Sequence, residues 1–138
     1  SLRWLMSLQT TAAGHFRPVG SNSFGAKRTY PQAFDQQPLE AAASISACLA
    51  AWRASGDDTW WVHAERALAW FVGRNDLALP LVDLETGSCR DGLHPDRANE
   101  NRGGESAVSY LLSLGDMRQF GHGRGEAPSH ALQALAGA

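Results

Sequence analysis

Two segments with helical spacing carry no charged side chain on any face. They are residues 41–52 (AAASISACLAAW) and residues 106–115, whose polar side chains are Ser106, Ser109 and Ser113. A surface helix places charges on its outer side, so a helix without any is expected to be surrounded. Between them, residues 60–74 are amphipathic in the ordinary way. Trp61, Ala64, Leu68 and Phe71 line one side, opposite His63, Arg66 and Arg74. The chain order is then inner helix, outer helix, long loop, inner helix, which describes helical hairpins packed side by side. The expected apolar stripes are Leu39, Ala42, Ile45, Leu49 and Trp52 on the first inner helix, and Ala107, Tyr110, Leu111, Leu114 and Met117 on the second. Hairpins winding in one direction make the inner helices parallel and put their N-termini on one rim.

The rest of the chain reads as connection. Residues 1–12 form a short helix ended by Gly14, and residues 14–30 a long loop of the kind that often carries function. The helix pattern is under way at Ser1 without a cap, which points to a chain cut from something longer. Asp35, Pro38 and Glu40 suit the start of the next helix. Residues 55–59 stop that helix and cap the following one. Leu79–Val82 and Cys89 can pair across the Thr86-Gly87 turn as a small hairpin. The last inner helix is expected from Glu105 to about Phe120, followed by a tail with at most one weak helix over 129–135. The domain reading is therefore a helical-hairpin domain at 1–120 and a tail at 121–138.

The chain's 138 residues suffice for a single core. A net charge of -2 gives no electrostatic footprint for nucleic acid or an anionic membrane. No apolar run approaches the roughly 20 residues of a membrane span. Cys48 and Cys89 are too few for a disulfide scaffold, so a reduced, cytoplasmic protein is the expectation. Eleven of the twelve basic residues are Arg, which reads as codon bias.

Chemistry concentrates where the two uncharged helices begin. One start is led by Asp35, Gln36, Gln37 and Glu40, the other by Asn99, Asn101, Arg102 and Glu105. Helix starts offer free N–H groups and partial positive charge to hydroxyls or anions. Amides, carboxylates and aromatics converging on a groove are what sugar recognition needs. His15, Phe16, Arg17 and Phe24 of the long loop are candidates for one wall, with Arg90 and His94 beside the second start. Any catalysis would come from carboxylates, an acid and a base or nucleophile drawn from Asp35, Glu40, Asp91 and Glu105. Plainer roles compete: Asp35 as a cap, Glu40 and Glu105 as complements to the helix dipole, the tryptophans as core. His94 with Asp91 and Asp96 matches no tight metal-ligand spacing, so no metal and no cofactor are expected. No nucleophile elbow, Walker loop, dinucleotide fingerprint or HExxH is present.

An ordered set of segments carries a family resemblance. It comprises FDQQPLEAA from Phe34, SGD from Ser55 and WFVGRNDL from Trp70, then TGSCRDGL from Thr86 and NENRGGES from Asn99. Together they resemble the C-terminal part of a bacterial six-hairpin (α/α) toroid domain. That domain is met in proteins labelled as glycosyltransferases, often near mannoside-phosphorylase genes. The resemblance covers about residues 1–120 and implies an all-α toroid with a carbohydrate-related role. A full toroid has twelve helices and this chain offers four or five, so association is expected, with a second copy or with the missing N-terminal hairpins. Without a nucleotide-sugar-binding α/β domain, transferase activity of this chain alone is not expected. The competing reading is a helical-hairpin protein-interaction module with no small-molecule site.

Overall fold

The computed structural model describes residues 1–21, 23 and 30–124, which form four helices: α1 (Leu2–Leu8), α2 (Pro38–Ser55), α3 (Thr59–Phe71) and α4 (Gly104–His122). The described chain is all-α apart from isolated antiparallel bridges at Thr10–Phe16, Gln36–Leu93, Val82–Cys89 and Leu93–Ala98. Phe24 and the helix expected over 129–135 lie outside the described residues.

α1 is shorter than the sequence pattern suggests. After Leu8 the backbone folds back: Gln9 O accepts from Arg17 N at 2.8 Å, and Thr11 N donates to His15 O at 3.0 Å. Gln9 is buried, and its amide nitrogen donates to Ser44 Oγ at 2.9 Å, which fastens the turn to α2. α2 starts at Pro38, where the missing N–H would have had no helical partner. Its N-cap is Gln37 and not Asp35, which the sequence offered as a cap. Gly56 ends α2 at φ +68, its N–H on Trp52 O at 2.7 Å, a left-handed stop suited to glycine. Asp57 Oδ1 then accepts from the amide and hydroxyl of Thr59, which orders the entry to α3.

Contacts at both ends fix the helix directions. Glu40 and Glu105, in the first turns of α2 and α4, feel each other's charge. At the far ends, Arg53 of α2 lies 5.1 Å from the ring centroid of Phe120 of α4. α2 and α4 are therefore parallel, while α3 returns antiparallel, with Trp61 at its start 5.4 Å from Trp52 near the end of α2. The core between them is aromatic: Trp70 meets Phe71 edge-on at 5.2 Å, and Phe71 meets Tyr110 at 5.5 Å. Trp60, Trp61 and Trp70 are all buried in it.

The faces that α2 and α4 bury are rotated from the expected ones. α2 buries Ala41, Ser44, Ile45, Cys48 and Leu49, leaving Leu39 50% exposed. α4 buries Ser106, Ser109, Tyr110, Ser113, Leu114 and Met117, while Val108, Leu111 and Leu112 are 54–61% exposed. Small side chains let the two helix axes approach closely. Three of the inward serine hydroxyls are hydrogen-bonded. Ser44 accepts from Gln9, Ser106 donates to Asp91, and Ser113 donates to Ser109 O one turn back. Among the described residues the uncharged helices are thus not surrounded. Leu39, Ala43, Ser46 and Ala50 on α2, with Val108, Leu111, Leu112 and Gly115 on α4, form open uncharged faces. Among the described residues no helix is long and apolar enough to cross a membrane.

Candidate functional site

The segments preceding α2 and α4 are stitched together before either helix begins. Gln36 N donates to Leu93 O at 3.0 Å and Leu93 N to Gln36 O at 2.9 Å. This close pairing requires Gly92, at φ +151, because a Cβ there would stand 2.1 Å from Gln36 O. The 91–101 loop is closed by Asn99 N on Gly92 O at 2.8 Å and Asp91 N on Asn101 O at 2.9 Å. Both helix starts consequently sit on one rim, with Glu40 in the first turn of α2 and Glu105 in the first turn of α4.

Glu40 is the electrostatic anomaly of that rim. Its Oε2 is buried and has no hydrogen-bond partner. Burial pushes the carboxyl above its usual range; its own backbone N–H opposes this, and the charge of Glu105 adds to it. Glu105 is exposed. Asp35 Oδ1 and His94 Nδ1 lie 2.8 Å apart across the Gln36–Leu93 bridge, both partly exposed. Gln37 is half-buried at the N-cap of α2, and Asn101 is exposed beside α4. Asp35, Gln37, Glu40, His94, Asn101 and Glu105 are thus brought to one end of the bundle.

Other expected site residues are engaged elsewhere. Asp91 Oδ1 accepts from Gly103 N and Ser106 Oγ, both at 2.6 Å, and so caps α4, whose own N-cap is a glycine. Asn99 Oδ1 accepts from Asn101 N at 3.0 Å. Arg102 reaches Ser88 Oγ and lies 3.8 Å from Asp83, while Arg90 lies 3.7 Å from Glu100.

His15, Arg17 and Gln36 turn away from the rim toward Asp76, a residue the sequence reading did not single out. Arg17 holds Asp76 with both arms of its fork at 2.7 and 2.6 Å, His15 Nε2 lies 2.8 Å from it, and Gln36 donates at 2.6 Å. Asp76 is desolvated, yet these donors outweigh burial and hold its carboxyl at about 2. Gln36 is fully buried, so it does not stand on a concave rim. Its Oε1 accepts from Trp70 Nε1 at 2.8 Å and its amide also donates to Ala33 O.

The cysteines Cys48 and Cys89 are free and buried, and burial pushes their thiols up to about 11 and about 12. Such thiols are poor nucleophiles. Among the described residues no three His, Cys, Asp or Glu side chains are grouped as a metal would require. No family model matches this chain, and no curated protein shows significant similarity to it.

Proposed function

We propose that the chain is part of an (α/α) toroid and that the rim where α2 and α4 begin is a carbohydrate site. The observation that supports this reading most strongly is the Glu40–Glu105 pair: one carboxyl half-buried, with its Oε2 buried and unpartnered and its pKa raised, the other exposed. Two carboxyls whose environments push them apart are the equipment of glycoside chemistry. In this role Glu40 is the proton donor and Glu105 the base or nucleophile. Asp35 orients His94, and Gln37 and Asn101 offer amides to sugar hydroxyls. Asp91 acts through α4, by fixing where the helix carrying Glu105 begins.

The open faces of α2 and α4 support the toroid reading, because neighbouring hairpins would cover them. They equally favour a second reading, a helical module whose only partner is another protein. Calorimetric titration with a panel of mono- and oligosaccharides separates the two. Saturable binding that is weakened at least tenfold by Glu105→Gln or Asp35→Asn supports the sugar site. A folded chain that associates with itself and answers to no sugar supports the module.

A further inference from the structure

A cleft of about 950 Å³ lies on the opposite side of α3 from its buried aromatic face. Its wall on α3 is formed by Glu65, Arg66 and Ala69, and Arg74 lines it from the loop after the helix. The facing wall is the loop 73–78 together with the turn at Gly14. None of the catalytic carboxyls assigned above belongs to this cleft.

The cleft is shaped by rigid parts. Asn75 is buried, and its Oδ1 accepts from the amides of Leu77 and Leu79 while its Nδ2 donates to Trp70 O and Leu79 O. The loop so held places Ala78 at φ +52, a conformation side chains rarely adopt. Arg66 is fixed as well, its Nη1 3.0 Å from His63 Nδ1 and 3.4 Å from Thr10 Oγ1. A ligand entering here would find walls that need little ordering.

The charges of the cleft are available. Among the described residues neither Glu65 nor Arg74 has an ion pair or a side-chain hydrogen bond, although both line the same cleft. The small side chain of Ala69 lines the cleft with them. An unpaired guanidinium calls for a phosphate or carboxylate. Glu65, as a carboxylate, can accept from neighbouring hydroxyls, and the Arg66 guanidinium can donate to them.

We propose that this cleft binds a small hydroxylated anion, a sugar phosphate or sugar acid. Its anionic group is held by Arg74, its ring lies over Ala69, and its hydroxyls are taken by Glu65 and Arg66. The proposal stands independently of the rim.

Titration of the whole chain with glucose 1-phosphate, glucuronate, glucose and inorganic phosphate tests it. At least one of the two hydroxylated anions is expected to bind saturably, at least tenfold tighter than glucose or inorganic phosphate. Arg74→Ala, at an exposed position outside the helix, is expected to weaken that binding at least tenfold with an unchanged circular dichroism spectrum. Ala69→Phe, which fills the floor, is expected to do the same, and Glu105→Gln to leave binding unchanged. The proposal is overturned if neither anion saturates, if inorganic phosphate binds as tightly, or if Arg74→Ala binds like the parent. Loss of binding in Glu105→Gln alone would move the anion to the rim and overturn it too.

Discussion

Asp76 and Glu40 are carboxyls placed in opposite circumstances, and their pH dependences run in opposite directions. Asp76 is held at about 2 by Arg17, His15 and Gln36, below the unfolded value near 4. A depressed carboxyl adds stability above its unfolded pKa, and that stability is lost as pH falls through the folded value. Asp76→Asn is therefore expected to lose about 1–2 kcal/mol at pH 7. Its deficit should shrink between pH 4 and pH 2 in urea denaturation. Glu40 is raised, so its ionisation above the folded pKa works against folding. Glu40→Gln should accordingly fare better against the parent at pH 8 than at pH 4, measured by the same method. An advantage that does not change with pH would show that Glu40 is not desolvated.

At the scale of elements, the rim depends on the pairing of residues 36 and 93 more than on either helix. Gly92→Ala puts a Cβ 2.1 Å from Gln36 O, so the Gln36–Leu93 bridge must open. Thermal unfolding should show a loss of more than about 2 kcal/mol, well beyond the ordinary cost of glycine to alanine. Much at this scale was legible beforehand. The absence of charge from 41–52 and 106–115, the Gly56 stop and the shared rim all follow from residue type and spacing. The buried faces were not, because leucines outrank serines in any apolar stripe. What decides is how closely two helix axes approach, and there Ser106, Ser109 and Ser113 fit while Leu111 does not. Asp76 was illegible for a related reason: its partners lie 40 to 61 positions away and no local pattern links them.

For the whole molecule, the uncharged open faces matter most. Val108, Leu111 and Leu112 stand exposed in helical register on α4, and Leu39 stands exposed on α2. Contiguous apolar surface of this kind is normally covered in solution. Light scattering after gel filtration is expected to find the chain associated, and Leu111→Glu with Leu112→Glu to return it to a monomer with unchanged helix content. A monomeric parent would show that these faces tolerate water.

Sugar is expected to bind where α2 and α4 begin. Backbone amide shifts, followed during titration with the tightest-binding oligosaccharide of the panel, test it most directly. Saturable shifts are expected at residues 37–41 and at 92–106. Amides that stay unmoved there, or shifts confined to the exposed face of residues 108–115, would contradict it.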